Sequence, residues 1–305
     1  MIFEKDTPCR LLIDGPCEGA WNMAVDETLL EKAESDRAMA WRFYEWTPAT
    51  LSLGFFQGVD DRQKHMASLD SPLVRRASGG GAILHDRELT YGLAVPLRST
   101  HDSLRLVLYR VAHETLIETL SDWGVTNASR WGVEDDSDKP TAPSQNVFGC
   151  GGDVSVNQAT GCGGNVEQGV GCGASNASAP TKQKEKPFLC FQRFTEGDVV
   201  LPDAESWTHK VVGSAQRRSL SAVVQHGSVL LDRSDAAPEL PGICDLTGTA
   251  IPIPELRDAW LDRLQTRLNL VWEPSELTES EKARAQEIVE TKYANDAWTI
   301  HKGRK

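Results

Sequence analysis

A long segment in the middle of the chain cannot contribute to a hydrophobic core. Between residues 133 and 186 the sequence consists mostly of Gly, Ser, Asn, Asp and Ala, with few large apolar residues. Such a segment buries too little apolar surface to offset the entropy lost when it becomes ordered. We therefore interpret 133–186 as a low-complexity, disordered insertion. Residues 1–132 and 187–305 then form a single domain of about 250 residues.

Strand-like and helical patterns alternate on both sides of this insertion. Apolar residues recur at helical spacing in 19–34 and 102–122, and β-branched and aromatic residues predict strands at 9–14 and 40–55. Later patterns predict strands at 198–201, 210–215 and 220–231, a helix at 253–270, and a helix at 278–293 with a capping box of Thr278 and Glu281. Together these elements predict an α+β fold, in which helices flank a mixed β-sheet.

The charge and cysteine content exclude several classes of protein. A net charge of −12 and a pI near 5.1 argue against nucleic-acid binding, which needs clustered Lys and Arg. No stretch reaches the roughly 18 apolar residues of a membrane span, and the first residues lack the order of a signal peptide. We therefore expect a cytoplasmic protein that does not bind membranes. Seven cysteines, an odd number without signs of secretion, predict reduced thiols.

Three of the cysteines lie in similar surroundings within the insertion. Cys150, Cys162 and Cys172 occupy the segments FGCGG, TGCGG and VGCGA. Thiols at such positions could bind a metal, but the spacing is not that of a short CxxC pair, and the segment contains no His. We interpret the triplet as a low-complexity repeat and predict no metal site.

The most informative segment is RRASGGGAILHD, residues 75–86. Gly79, Gly80 and Gly81 permit positive φ and allow a ligand to lie directly against the backbone, whose N–H groups can face carbonyl or phosphate oxygens. The spacing matches neither a dinucleotide-binding nor a Walker signature. Taken alone, the segment is equally typical of a glycine-rich hairpin or bulge.

This segment resembles the RR-x-x-GGG-x-x-x-HD motif of the biotin/lipoate protein ligase and octanoyltransferase family. The resemblance extends, in the same order, to WNMAVDETLL (21–30), WTPATLSLGFFQ (46–57), HKVVGSAQRRSLSAVVQHGSVLL (209–231) and KYANDAW (292–298). The resemblance implies a ligase-like catalytic domain in which the Gly-rich loop and the lysine strand flank a tunnel for a medium-length acyl chain. The later lysine segment follows the lipoate branch rather than the biotin branch.

Cys190 distinguishes between the two chemistries of this family. Ligases activate free lipoate with ATP and Mg²⁺, whereas the transferases carry an octanoyl group on a cysteine. Cys190, in PFLCF, resembles the nucleophile of the cysteine-dependent octanoyltransferases, and Lys210 resembles the lysine of the family. A nearby ammonium favours the reactive thiolate. Without the resemblance, Cys190 would be interpreted as a small buried hydrophobe and Lys210 as a solvated lysine at a strand end.

The connection between these two residues departs from the family pattern. The segment from Asp198 to Lys210 is longer than the usual short turn, and His209 stands where Arg or Lys is common. We expect a lengthened hairpin loop that leaves Lys210 at the start of its strand.

Further residues are candidates for substrate binding. Gly213, Ser214 and Ala215 are small enough to approach an acyl carbonyl, and their N–H groups could stabilise an oxyanion, although tight strand packing also explains them. Ser78 belongs to the Gly-rich motif, and His226 and Gly227 are expected to support the wall of the site. His226 is either a general base or a structural imidazole, and His85 has the same alternatives.

Two arginine pairs complete the list of candidates. Arg75 and Arg76 could bind the phosphopantetheine of a carrier or an acidic protein face, or form ion pairs inside the domain. Arg217 and Arg218 could extend this basic patch.

The resemblance therefore implies transfer of an octanoyl group from acyl carrier protein, through a Cys190 thioester, to a lysine of lipoyl-domain proteins. The expected acceptors are the glycine cleavage H protein and the E2 component of 2-oxoacid dehydrogenases. No cofactor is expected, and ATP and Mg²⁺ are needed only by the alternative, a lipoate-protein ligase. An amidotransferase between lipoyl-domain proteins and a non-catalytic binder of acylated proteins are further alternatives.

Overall fold

The computed structural model describes residues 2–98, 103–133 and 186–301. The predicted insertion, with Cys150, Cys162 and Cys172, lies outside these residues except at its two ends, so its interpretation stays a prediction. In the described part of the chain, no helix is both long and apolar enough to cross a membrane.

Eleven strands and six α-helices occur in the described ranges. In chain order, they are β1 (Thr7–Cys17), α1 (Gly19–Ser35), β2 (Ala40–Trp46), β3 (Thr50–Leu53), β4 (Leu73–Arg75), β5 (Ile83–His85), β6 (Glu88–Pro96), α2 (Leu104–Ser121), β7 (Ser129–Arg130), β8 (Val199–Pro202), β9 (Thr208–Arg218), β10 (Ala222–Leu230), α3 (Ile243–Thr247), α4 (Ile253–Leu268), β11 (Leu270–Pro274), α5 (Glu279–Ile288) and α6 (Asp296–Thr299). A π-helical turn, Val289–Tyr293, follows α5.

The described strands form two sheets. Eight of them form a mixed sheet in the order β11-β1-β2-β6-β10-β9-β8-β7, with β1 parallel to both β11 and β2 and the remaining pairs antiparallel. The other three form a small sheet in the order β4-β3-β5. This arrangement confirms the predicted α+β fold with a mixed sheet and flanking helices.

Helices cover both faces of the large sheet. On one face, apolar side chains of α1 and α5 pack against small and branched residues of the central strands, including Ala94, Ala222 and Val224. On the other face, α2 and α4 enclose the larger cluster, in which Trp260 lies at the centre of an aromatic group with Trp41 and Tyr91. Because both faces are covered, β6 is buried along almost its whole length.

The predicted strand over 40–55 is wrong in its extent. The chain forms β2 and β3 instead, and they belong to different sheets. Pro48 lies between them and has no N–H for a sheet ladder, which ends the first strand. This break moves the chain from the large sheet to the small sheet that carries the Gly-rich loop.

The helices predicted at 19–34, 102–122, 253–270 and 278–293 are present with small differences at their ends. Thr278 and Glu281 form the predicted capping box at the start of α5. The sequence patterns missed β11, which follows α4 directly and adds a parallel edge strand next to β1. Asn269, in the left-handed conformation, ends α4 and allows this immediate reversal of the chain.

Candidate active site

The Gly-rich loop between β4 and β5 packs directly against Cys190. A β-carbon on Gly81 would lie 2.8 Å from both the nitrogen and the Cα of Cys190, and one on Gly80 would lie 4.0 Å from its Sγ. Gly80 also has a φ of +99°, which favours glycine. The positive φ predicted for the triplet is therefore present at Gly80, and the loop lies against the thiol residue. The predicted contact of this backbone with a ligand stays a prediction.

Cys190 lies in a short 3₁₀ turn, Cys190–Gln192. The turn follows a bridge between Leu189 and Ala82, in which Cys190 N donates to Ala82 O over 2.7 Å. Gln57 fixes the same segment because its Nε2 donates to Phe188 O over 3.1 Å. Cys190 is partly exposed, and hydrogen bonds with Ala82 and Gln57 hold its backbone segment in place.

The structure brings Lys210 next to Cys190, with 3.7 Å between Nζ and Sγ. A bulge in β9 directs the lysine there: Val212 pairs with Val199 and Lys210 pairs with Val200, so Val211 is the extra residue. Val211 and Val212 both pack into the α2–α4 core cluster. The bulge therefore turns Lys210 away from that cluster and towards the thiol. Lys210 is the third residue of β9, as expected for a lengthened hairpin.

Asp198 is a buried partner of Lys210 that the sequence did not reveal. Its Oδ2 lies 2.8 Å from Lys210 Nζ, and both side chains are almost fully buried, at 2% and 3% exposure. Tyr109 OH donates to Oδ1 over 3.0 Å, and Thr195 N donates to Oδ2 over 2.7 Å. Its only signal in the sequence is its position directly before the apolar strand β8.

Gly213 provides space for the lysine side chain. A β-carbon on Gly213 would lie 2.6 Å from Lys210 Cε and 2.9 Å from Nζ. These distances are well inside normal contact for carbon atoms. Gly213 therefore allows Lys210 to lie along β9 towards Cys190. The reason predicted from the sequence for a small residue at this position was a different one, namely the close approach of an acyl carbonyl.

A pocket of about 210 Å³ lies between α1, the start of the Gly-rich loop and the β9–β10 hairpin. Its apolar lining comes from Met23, Leu30, Val224 and Tyr293, and Ala77 and Ser78 connect it to the Gly-rich loop. Arg217 and Arg218 also line it, together with Glu27, Glu31 and Glu34, so this end of the pocket is charged. The pocket thus lies between the first residues of the Gly-rich loop and the end of β9, where apolar and charged side chains line it together. The acyl tunnel that the resemblance implies stays a prediction.

Ser78 and His226 contact each other in the wall of this pocket. Ser78 Oγ lies 2.6 Å from His226 Nε2, and His226 Nδ1 lies 3.2 Å from Asp26 Oδ2. A carboxylate at Nδ1 favours the tautomer in which Nδ1 carries the proton, so Ser78 donates to Nε2. Asp26 also accepts from Arg42 Nη1 and Tyr44 OH. His226 is thus oriented through a buried carboxylate, and Asp26 is a second residue that the sequence did not single out.

Arg75 and Arg76 do not form a basic surface patch, so the prediction of carrier binding by these residues is wrong. Both are buried, at 0% and 1% exposure. Arg75 donates to the carbonyls of Gly54, Phe55, Gln57 and Thr299, and Arg76 donates to Ser52 and to the carbonyls of Gly79 and Gly81. Burial lowers the pKa of both guanidinium groups. Their partners are backbone carbonyls rather than internal carboxylates, and Arg76 fixes the shape of the Gly-rich loop.

His85 lies in the core rather than in the substrate pocket. Its Nε2 is 2.6 Å from Ser52 Oγ, its Nδ1 is 2.6 Å from Glu88 Oε1, and its ring stacks on Trp46 at 3.8 Å. Burial lowers its pKa. The spacing resembles a hydrolase triad, but Ser52 is fully buried and accepts a hydrogen bond from Arg76. The cluster therefore supports β3, β5 and β6 instead of presenting a nucleophile.

Ser214 and Gly227 face away from the thiol. Ser214 Oγ lies 2.7 Å from both Tyr91 OH and His113 Nε2, beneath α2. A β-carbon on Gly227 would lie 2.4 Å from the Tyr91 ring, so this glycine makes room for Tyr91. These contacts explain why both residues are small, and the predicted roles of the Ser214 N–H group and of Gly227 at the site stay predictions. Ala215 pairs with His226 across β9 and β10 and thus stays next to the pocket wall.

The other described cysteines lie away from this site. Burial raises the thiol pKa of Cys9, Cys17 and Cys244, which favours the protonated form of each. Within the described ranges, Cys190 is the cysteine that contacts a lysine ammonium.

The sequence comparison identifies the family to which this fold belongs. Residues 18–237 match the family described as the lipoyl protein ligase A/B catalytic domain. The chain belongs to this family.

Similar proteins include octanoyltransferases over nearly the full length of the chain. The octanoyltransferase LipM of Geobacillus kaustophilus (strain HTA426) is 28% identical over 324 residues, covering 95% of this chain and 97% of the relative. That of Bacillus subtilis (strain 168) is 27% identical over 329 residues, covering 97% and 99%. These comparisons confirm the predicted family branch and the predicted enzyme class, an acyltransferase.

Solved structures share the fold at lower identity. The bipartite lipoate protein ligase of Thermoplasma acidophilum is 17% identical, covers 98% of both chains and has a TM-score of 0.64. A lipoate-protein ligase A bound with ATP is 18% identical, covers 97% of this chain and 98% of its own, and has a TM-score of 0.62. At such identities the likeness shows the fold alone.

Proposed function

We propose that this protein transfers an octanoyl group from acyl carrier protein to a lysine of lipoyl-domain proteins, with Cys190 as the thioester carrier and Lys210 as the proton carrier. The observation that carries the proposal is the 3.7 Å contact between Cys190 Sγ and Lys210 Nζ beside the Gly-rich loop. The names of the similar octanoyltransferases support the acyl group. The acceptors that we propose are lipoyl-domain proteins, namely the glycine cleavage H protein and E2.

In the first half-reaction, the Cys190 thiolate attacks the carbonyl carbon of the octanoyl thioester on the carrier. The bond between that carbon and the carrier sulfur breaks, and Lys210 donates its proton to the departing thiolate. The products are S-octanoyl-Cys190, a neutral Lys210 and the free carrier thiol. Exchange of one thioester for another keeps the acyl group activated, so the scheme consumes no ATP.

In the second half-reaction, the lysine amine of a lipoyl domain attacks the Cys190 thioester. A carbon–nitrogen bond forms, the bond to Sγ breaks, and the neutral Lys210 accepts the proton that the amine loses. The thiolate and the ammonium are thereby restored, and both half-reactions use one pair of residues. The backbone of Gly80 and Gly81 lies beside Sγ, where N–H groups can stabilise the oxyanion of each tetrahedral intermediate.

The pocket suits the acyl chain of this substrate. Met23, Leu30, Val224 and Tyr293 provide apolar walls, and Ser78 joins the pocket to the loop that contacts Cys190. Burial of an apolar chain there contributes roughly 0.8 kcal/mol per methylene. An octanoyl chain therefore gains binding energy from the same pocket in both half-reactions.

The test is intact mass spectrometry after incubation with octanoyl-acyl carrier protein in the absence of ATP. We expect an octanoyl adduct that hydroxylamine removes and that a lipoyl domain discharges as an amide. Cys190→Ser should abolish the adduct. Cys244→Ser, a matched change at a cysteine outside the site, should leave it unchanged.

Two results would contradict the proposal. One is the absence of an adduct together with lipoylation that depends on ATP and free lipoate, which would identify a ligase. The other is an adduct that forms only from an octanoylated lipoyl domain, which would exclude acyl carrier protein as the donor.

A further inference from the structure

Asp198 has contacts that a purely structural carboxylate would not need. It is one of few acidic side chains in the described residues that are almost fully buried, and its Oδ2 lies 2.8 Å from Lys210 Nζ. The same ammonium lies 3.7 Å from Cys190 Sγ and 3.3 Å from the carbonyl oxygen of Arg193. Asp198, Lys210 and Cys190 therefore form a continuous series of contacts that ends at the thiol.

Helix α2 and the loop that precedes Asp198 hold the Asp198 carboxylate in one orientation. Tyr109 donates to Oδ1, and burial together with the Asp198 charge raises the pKa of the Tyr109 hydroxyl, which therefore keeps its proton. The backbone N–H of Thr195 donates to Oδ2. His113 Nδ1 lies 2.7 Å from the carbonyl oxygen of Gly197, so α2 also fixes the residue before the aspartate.

We propose that Asp198 is a positioning residue of the acyl transfer reaction, which keeps Lys210 charged and directed at Cys190. This inference rests on the proposed roles of Cys190 and Lys210. A lysine at 5% exposure would lose the charged form readily if it had no anionic partner, because burial disfavours an ammonium. In the second half-reaction, the carboxylate also strengthens the affinity of the neutral lysine for the proton that it takes from the attacking amine.

The other groups around the ammonium do not replace this carboxylate. His113 from α2 is neutral at physiological pH because burial lowers its pKa to about 4. The Phe191 ring lies 5.6 Å from Nζ and carries no charge. Arg76 interacts electrostatically with Cys190 and is a cation, so it supplies no counter-charge to the ammonium. Among the described residues around the Asp198–Lys210 pair, which include Cys190 and Tyr109, Asp198 therefore supplies the carboxylate that pairs with the ammonium.

The test measures the rate of Cys190 alkylation by iodoacetamide from about pH 6 to about pH 10, with the modified cysteine identified by peptide mass mapping. This reaction does not need an acyl substrate, so it does not depend on whether octanoyl transfer occurs. We compare the wild type with Lys210→Met, Asp198→Asn and Asp198→Glu. Asp203→Asn is the matched control, because Asp203 pairs with His209 at 2.9 Å rather than with Lys210.

We expect Asp198→Asn to move the pH midpoint of alkylation upward by about one unit or more, towards that of Lys210→Met, because the uncharged lysine no longer stabilises the thiolate. Asp198→Glu should return the midpoint towards the wild-type value, and Asp203→Asn should not change it. A downward shift of the pH midpoint in Asp198→Asn would overturn the proposal. The midpoint falls when a negative charge near the thiolate is removed and Lys210 keeps its positive charge. An unchanged midpoint would overturn the proposal as well.

A second variant covers the case in which Asp198→Asn does not fold. Tyr109→Phe keeps the carboxylate and removes only its hydrogen bond at Oδ1, so the ion pair loosens and the midpoint should rise by a smaller amount. A midpoint that stays unchanged or falls in Tyr109→Phe would contradict the positioning role. If octanoyl transfer fails in the wild type while these shifts occur, the proposed function is wrong and the Asp198–Lys210–Cys190 relation is right.

Discussion

Replacement of Gly213 by alanine should displace the Lys210 ammonium while the fold stays intact. The new β-carbon would lie 2.6 Å from Lys210 Cε and 2.9 Å from Nζ. Carbon atoms in contact prefer a separation of about 3.5 Å, so the lysine must move by about 1 Å. The atoms that move belong to the flexible end of a side chain, so the backbone of β9 does not need to change.

The displacement should affect activity far more than stability. A misplacement of about 1 Å in a reacting group reduces rates by about 100-fold. The overlap itself should cost about 1 kcal/mol of unfolding free energy, at the low end of overpacking. In a domain of this size, that cost lowers Tm by about 2–4 °C.

Both quantities can be measured on one preparation. The rate of octanoyl transfer to a lipoyl domain reports the activity, and a calorimetric melt reports Tm. Gly15→Ala is the matched control, because a β-carbon on Gly15 meets nothing within 4 Å. A Gly213→Ala variant with a wild-type transfer rate would refute the reasoning, since the position of the ammonium would then be unimportant.

Two further predictions concern the pocket and the buried histidine of α2. Val224→Phe should fill part of the 210 Å³ pocket and lower the transfer rate with octanoyl thioester by about 10-fold relative to that with butanoyl thioester. Competition assays of the two donors can measure this ratio. Equal losses of rate for both donors would mean that the acyl chain lies elsewhere. Burial lowers the pKa of His113 from 6.5 to about 4, so the unfolded chain takes up the proton first as the pH falls. Stability should therefore drop by up to about 3 kcal/mol between about pH 6.5 and pH 4, and His113→Gln should remove this part of the slope in urea unfolding curves.

The charged residues show where sequence reasoning reached its limit. Arg75 and Arg76 stand next to a glycine-rich segment, which suggests a surface that binds anions. In the structure, both guanidinium groups donate to carbonyl groups, among them that of Thr299, which is 224 positions away from Arg75. No local pattern predicts such a partner. Asp198 was missed for the same reason, because its importance comes from the buried ion pair with Lys210.

The cysteine and the lysine show what local sequence can reveal. The motifs around Cys190 and Lys210 identified these two residues as partners in the proposed acyl transfer. The helices and central strands follow apolar periodicities that are visible in the sequence. The small sheet was not visible, because Pro48 divides a continuous apolar run into strands of two different sheets. Short strands such as β4 and β5 have too few residues for a pattern.

The sequence by itself determined the family, the α+β class and the pair of residues proposed to carry the chemistry, because collinear motifs and apolar periodicity are local properties of a chain. Only the tertiary structure decided how that pair is arranged. The bulge at Val211 turns Lys210 towards the thiol, Gly213 leaves room for its side chain, and Asp198 supplies its counter-charge. Each of these effects depends on distances between atoms of separate segments, and such distances exist only once the strands have paired.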